Sequence, residues 1–362
     1  MISKINIQNY KCWVSKEVNF RPLTLLAGGN AVGKSSVIQS LLLSKKAYSN
    51  RLDGEILTSD INGMNLGIPK NIISKDRTSE EITLNSFFED GTNSKVKLSI
   101  GDEITNPLSL IIQNKDELLE NIEPYSNFQY LNAERIGPRI ASDISSNSIL
   151  NVGNKGEFTN HIINKADLLK YPIHSSMRAS KIARFSANCE SWLDIIIPGT
   201  ELSVSFYEEV NKVTIKYKNS ITSSDSYVPT ATGFGLTYVL PIIVSGLLLS
   251  SHSNSLLIIE NPEAHLHPYG QSKVGQFLAM LSTCGVQVVV ETHSEHVING
   301  ARLQLAKMQQ TDKMIVNFFN IVATNIDIDQ IEVNSFGELD KWPKGFFDQS
   351  KTDLRELLGL RL

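Results

Sequence analysis

Leu23-Thr24-Leu25-Leu26-Ala27-Gly28-Gly29-Asn30-Ala31-Val32-Gly33-Lys34-Ser35-Ser36 is the stretch on which the reading of the chain turns. An uncharged, largely apolar run enters a glycine turn directly, so a buried strand delivers the backbone to a loop. From Ser35 to about Lys46, Val37, Ile38, Leu41, Leu42 and Leu43 recur at helical spacing with no Gly or Pro between them, which predicts a helix. Gly28 to Ser35 fits G-x-x-x-x-G-K-[ST] in full, in the strand-turn-helix setting that the pattern requires. Glycine lets the backbone wrap tightly, so that successive N–H groups and the positive end of the helix face an anion. In this reading Gly28, Asn30, Ala31, Val32, Gly33 and Ser36 cradle phosphates, Lys34 reaches the β- and γ-phosphates, and Ser35 offers its hydroxyl to Mg²⁺. ATP and Mg²⁺ are therefore the expected ligands.

Working outward, Ile2–Ile7 and Glu17–Phe20 alternate as strands, and residues 49–126 mix short strand-like pieces with Asn, Asp, Ser and Gly clusters, which suggests an antiparallel β lobe. Residues 140–200 read as a helical insertion, with one helical stretch from Ile162 to Phe185. Further on the pattern becomes regular. A helix over Leu236–Leu249, a strand over Leu256–Ile259, a helix over Gly270–Ser282 and a strand over Val286–Val290 predict a parallel sheet. The expected fold is α/β, with a mixed or parallel central sheet, an antiparallel β lobe and a helical insertion. The expected organisation is 1–139, 140–200, 201–310 and a small C-terminal element over 311–362.

The bulk composition agrees with a folded core. Of 362 residues 41% are hydrophobic and 20% charged, and the net charge of −4 argues against a chain-wide electrostatic footprint for nucleic acid. Cys12, Cys189 and Cys284 form no Cys-x-x-Cys pair and suit a reducing compartment as unpaired packing residues. The first residues carry no long apolar core, and the longest apolar run, Val239–Leu249, contains Pro241 and falls short of the roughly 18 residues that span a bilayer. No membrane association is expected, and a cytoplasmic location is.

A second acid-bearing strand strengthens the nucleotide reading. Leu256-Leu257-Ile258-Ile259-Glu260 ends an apolar run on a carboxylate that would feed a metal, so Glu260 joins Ser35 as a candidate metal residue. Asn261-Pro262-Glu263-Ala264-His265-Leu266-His267-Pro268 follows it. One strand-helix-strand unit later, Val288-Val289-Val290-Glu291-Thr292-His293-Ser294 would place His293 at the carboxyl edge of the sheet, where it could sense the γ-phosphate. Thr232-Gly233-Phe234-Gly235-Leu236-Thr237 opens the helix before Glu260, and Gly233 and Gly235 at a helix N-terminus form a candidate anion site; a helix start without function is the competing reading.

On these motifs the sequence resembles the ABC-type ATPase heads of the SMC and overcoming-lysogenization-defect group, in particular bacterial ATPases without that group's nuclease domain. Ile5 to Lys11, Tyr130-Leu131-Asn132-Ala133-Glu134-Arg135-Ile136-Gly137-Pro138-Arg139 and the tail Leu339 to Asp348 are similar to that subgroup as well. The resemblance implies a homodimer closed around two shared ATP sites, with Gly233 and Gly235 facing the partner's γ-phosphate. It also implies regulation of a separate effector, a nuclease or a toxin, in bacterial anti-phage defence. The usual Asp-Glu pair is replaced by Glu260 and Asn261. An amide cannot take a proton from water, so hydrolysis should be slow unless Glu263 or His293 orients the attacking water. Lys34, Glu260, Glu263 and His293 are the candidate catalytic residues. The alternative is an ATP-gated scaffold or sensor with little hydrolysis that could bind DNA.

Weaker patterns admit other readings. His265 and His267, with His293 and His296 downstream, have some metal-ligand character, and Asp327-Ile328-Asp329 resembles a nuclease Asp-x-Asp, but neither has a full ligand set around it. Arg135 and Arg139 suit either a phosphate or partner contact or a structural ion pair. Lys165, Lys170, Arg178, Lys181 and Arg184 would make the insertion helix basic, as a solvated face or, less favoured, a surface for DNA or a partner.

Overall fold

The computed structural model describes residues 1–102, 106–120, 125–222, 225–323 and 325–359. The end of the expected C-terminal element, 360–362, and parts of the expected β lobe, 103–105 and 121–124, lie outside them. Along the chain, β1 (Ile2–Tyr10) and β2 (Trp13–Asn19) precede β3 (Leu23–Gly28) and α1 (Lys34–Ser49). Then come β4 (Glu55–Leu57), β5 (Glu81–Phe88), β6 (Asn93–Ile100), β7 (Ser109–Ile112), α2 (Lys115–Glu120), β8 (Asn127–Leu131) and β9 (Ser142–Asp143). The insertion supplies α3 (Thr159–Leu168) and α4 (Phe185–Ile196), followed by β10 (Thr200–Tyr207) and β11 (Lys212–Asn219). The regular part consists of α5 (Phe234–Leu249), β12 (Ser255–Glu260), α6 (Pro268–Ser282), β13 (Val286–Glu291) and α7 (Glu295–Met308), and β14 (Met314–Val322), β15 (Asn325–Glu332) and α8 (Gln349–Leu357) close the chain.

Among the described residues the central sheet has the order β15-β14-β3-β13-β12-β8 and is parallel except for the antiparallel edge pair β14–β15. A second sheet, β2-β1-β5-β6-β7-β4, is antiparallel, and β10-β11-β9 forms a small third one. The uninterrupted apolar character of the central strands follows from their place between two cores. Leu23, Leu25 and Ala27 of β3 pack with the helical core of α3 to α7, whereas Leu26 packs with α1 and the antiparallel sheet. The same alternation divides Leu257 and Ile259 from Leu256 and Ile258, and Val288 and Val290 from Val289. A strand buried on both faces needs apolar residues at every position, not at alternate ones. Each such side chain contributes roughly 1.5–3 kcal/mol of burial.

Two details differ from the expectation. The stretch from Ile162 to Phe185 is not one helix: α3 stops at Leu168, and Lys170 takes a left-handed φ of 49° ahead of Pro172. Arg178 and Lys181 therefore lie on the loop between α3 and α4 while Lys165 lies on α3, so the basic residues share no helical face. The apolar run Val239–Leu249 is the buried part of α5 under the sheet, and no helix among the described residues is long and apolar enough to cross a membrane. Beyond β15 the tail is pinned by Phe346, 1% exposed, which meets Phe318 of β14 edge-on with ring centroids 5.1 Å apart. The parallel arrangement brings the carboxyl ends of β3, β12 and β13 to one edge of the sheet, which is where the chemistry collects.

Candidate nucleotide site

The glycine turn is shaped by what lies beneath it. Gly28 takes a φ of 138°, and a Cβ there would fall 2.2 Å from the carbonyl oxygen of Phe319; Gly33, at 92°, would place one 2.4 Å from the Trp13 ring. Both positions exclude a side chain, through backbone conformation as well as space. Trp13 and Phe319, whose centroids are 6.4 Å apart, thus form a floor under the turn, which the sequence reading did not single out. Gly28 ends β3 and Gly33 caps α1, and the turn lines a cavity of about 300 Å³ with Lys11, Cys12, Asn30 to Ser36 and Glu291 around it. Its size suits a polyphosphate entering from solvent.

Lys34 is 3% exposed and donates to the carbonyl oxygens of Gly28, at 3.1 Å, and Gly29, with the Glu291 carboxylate 3.7 Å away. Burial lowers its pKa, partly offset by Glu291. Ser35 donates its hydroxyl to Glu291 at 3.1 Å from Oε2 and 3.3 Å from Oε1. Glu291 therefore stands beside both Ser35 and Lys34, a position the sequence reading did not give it. The signal was present: Val288-Val289-Val290-Glu291 ends an apolar strand on an acid just as Leu256 to Glu260 does. Because β13 lies between β3 and β12, its terminal acid is the one beside Ser35.

Glu260 ends β12 one strand further away and accepts from the Tyr130 hydroxyl at 2.8 Å. Burial raises the pKa of both acids, and in Glu291 the neighbouring charge of Glu260 adds to the rise. Arg135, 3% exposed, donates to the carbonyl oxygens of Asn261 at 3.0 Å and of Glu260, so it braces the end of β12; burial pulls its pKa down to about 10. Asn261 sits at a φ of 46°, a left-handed conformation that Asn tolerates better than Glu. Its N–H donates to the Glu291 carbonyl at 2.8 Å, while its buried Oδ1 has no partner within the described residues.

Glu263 accepts from the Thr292 hydroxyl and from the His293 backbone N–H, both at 2.7 Å, which ties the loop after β12 to the loop after β13. Both of its oxygens are engaged in holding the turn that carries His293. The His293 imidazole is near enough to Lys34 to feel its charge, and burial first, then Lys34, lowers its pKa. The structure thus brings Lys34, Ser35, Glu260, Glu291 and His293 to one edge of the sheet.

Gly233 and Gly235 are elsewhere, and neither lines the cavity at Lys34. Gly233 caps α5, and a Cβ on Gly235 would stand 2.8 Å from the His265 carbonyl oxygen. Phe234, 51% exposed, forms an aromatic cluster with Tyr238 and His265, the latter two in edge contact at 4.6 Å. His267 accepts from the Tyr269 N–H as the cap of α6, so His265 and His267 have structural partners. Asp327 pairs with Lys16 at 3.0 Å and Asp329 with Asn320 at 2.8 Å. Among the described residues no group of three or more His, Cys, Asp or Glu side chains converges as a metal cluster.

The comparisons with known proteins bear on the family and the fold. Residues 23–299 match the family described as AAA domain, putative AbiEii toxin, Type IV TA system, and residues 310–357 match a family described as protein of unknown function. The chain is 22% identical over 353 residues to the Old nuclease of Escherichia phage P2, covering 82% of this chain and 57% of that protein. An Smc head bound to the C-winged helix domain of ScpA superposes with a TM-score of 0.53 at 13% identity, covering 92% of this chain and 98% of the head. An Smc head with an extended coiled coil, bound to the C-terminal domain of ScpA derived from Pyrococcus furiosus, gives a TM-score of 0.52 at 10% identity and covers 99% of both chains.

Proposed function

Because the chain belongs to the AAA-domain family described as a putative AbiEii toxin of a type IV toxin–antitoxin system, within the ABC-type P-loop ATPases of the SMC and OLD-like group, we propose that it binds and slowly hydrolyses Mg-ATP as a homodimer and regulates a partner effector. The observation that carries this reading is the placement of Lys34, Ser35 and a pair of carboxylates, Glu260 and Glu291, at the carboxyl edge of one parallel sheet. Lys34 and the N–H groups of the turn bind phosphate, and Ser35 with Glu260 and Glu291 would hold Mg²⁺. When bound, the metal offsets the charge that develops as the γ-phosphate leaves. Glu263 positions the backbone of His293, whose imidazole pKa is lowered by burial and by the charge of Lys34.

Dimerisation is supported by the separation of Gly233 and Gly235 from Lys34. A helix N-terminus with an exposed Phe234 is left for a second copy to meet, and in a head-to-head pair it would face that copy's nucleotide. The effector is a nuclease or toxin, with anti-phage defence as the setting; the chain spans 57% of the length of the phage nuclease it resembles.

Steady-state phosphate release and light scattering with ATP and Mg²⁺ test this together, for the wild type, Lys34→Ala and Glu263→Gln. ATP-dependent dimers and a turnover lost in Lys34→Ala and reduced in Glu263→Gln are expected. A second reading, an ATP-gated scaffold, is favoured by Asn261, whose amide cannot act as a base. It takes over if ATP induces dimers without turnover above the Lys34→Ala background.

A further inference from the structure

Ser35 and Lys34, the two residues of the turn that must address metal and phosphate, are both engaged by the Glu291 carboxylate, and Glu291 is 7% exposed. We propose that Glu291 makes nucleotide affinity conditional on a divalent cation: it opposes ATP that arrives without the metal and favours ATP that arrives with it. The inference rests on the nucleotide reading above and adds a residue to it.

The argument is one of charge in a confined place. A triphosphate without metal brings several negative charges toward Lys34. It must take the lysine from Glu291 and from the carbonyls of Gly28 and Gly29, and it then lies beside an acid with little water to screen it. Glu260 lies close enough to Glu291 for the two charges to interact, so the two acids together oppose an anion that arrives without metal. A divalent cation reverses the sign. The same carboxylate then faces positive charge, and the Ser35 hydroxyl it now holds is the group the turn offers to a metal. Because the acid ends the strand next to β3, its distance to Ser35 is set by the β3–β13 pairing of Leu26 with Glu291, not by a mobile loop.

Binding of a fluorescent ATP analogue to the full chain, titrated in excess EDTA and in excess Mg²⁺, tests this without reference to turnover. Glu291→Gln keeps the shape of the side chain and an acceptor for Ser35 but removes the charge, and Glu291→Asp keeps the charge. In Glu291→Gln, metal-free affinity should rise and the strengthening by Mg²⁺ should shrink, together by about tenfold relative to the wild type. Glu291→Asp should stay nearer to the wild-type ratio, which separates charge from any loss of packing. A Glu291→Gln protein with the wild-type ratio of affinities overturns the proposal. A Glu291→Asp protein that loses the ratio as fully as Glu291→Gln also overturns it, because the effect would then be shape. If the wild type binds the analogue in neither condition, the nucleotide reading itself fails, an outcome distinct from an unchanged ratio.

Discussion

The glycine turn and the N-terminus of α5 are both helix starts built around glycine, yet they are left in opposite states. At the turn, Lys34 is buried, and it and Ser35 both have partners in the same chain: two carbonyls and Glu291 for the lysine, Glu291 for Ser35. At α5, nothing stands within 4 Å of a Cβ on Gly233, and Phe234 projects half-exposed beside Tyr238 and His265. Both starts present helix N–H groups to an anion. At the first, Lys34 and Ser35 line the cavity beside the helix start. On the proposed reading the chain would hold a complete phosphate site and half of another, so the two should fail differently when altered.

The largest effect is expected at Lys34. In Lys34→Ala the charge-assisted contacts to phosphate are lost, and ATP affinity should fall by roughly a hundredfold, as measured by titration of a fluorescent analogue. Thermal stability should change little, because the lysine's present partners are carbonyls of the turn and an acid that this substitution leaves less attracted rather than more crowded. A Lys34→Ala chain that keeps wild-type affinity would remove the contrast between the two helix starts.

Gly235→Val should produce the reverse pattern. The new side chain would begin 2.8 Å from the His265 carbonyl and 3.3 Å from Leu266 Cδ2, and would push the α5 start away from the loop after β12. Overpacking of this kind costs about 1–3 kcal/mol. ATP affinity of the single chain should stay within about twofold, while the ATP-dependent dimer, followed by light scattering, weakens by roughly tenfold. Equal losses in both would mean that the two starts belong to one site.

The turn, the acid-tipped strand β12 and the helix α5 were legible because each is local: a periodicity over a dozen residues or a motif of eight. What was not legible depends on which strands lie side by side. Ser35 and Glu291 are 256 positions apart, and their contact exists only because β13 inserts between β3 and β12. The same holds for Trp13 and Phe319 beneath the glycines, which come from a hairpin strand of one sheet and from β14, inside the other. The stretch from Ile162 to Phe185 failed for a local reason instead, since its apolar spacing carries across Pro172 but the backbone does not. Glu263 shows a middle case: its place beside Asn261 marked it, yet its two bonds to Thr292 and His293 make it a brace between loops, which no spacing could show.

The smallest expected effect sharpens the contrast at its least obvious member. Arg135 was compatible with a phosphate contact or a structural one, and its fork reaches two main-chain carbonyls at the end of β12. Lysine keeps the charge but cannot span both acceptors with a planar fork. In Arg135→Lys the position of Glu260 and Asn261 should loosen, so turnover should fall by about threefold to tenfold, consistent with one lost bond of about 1 kcal/mol. ATP affinity should hold within about twofold, since the guanidinium is directed at carbonyls rather than into the cavity at Lys34. Were affinity to fall as far as turnover, Arg135 would be touching phosphate, and the cradle would extend beyond the turn to the strand that precedes the insertion.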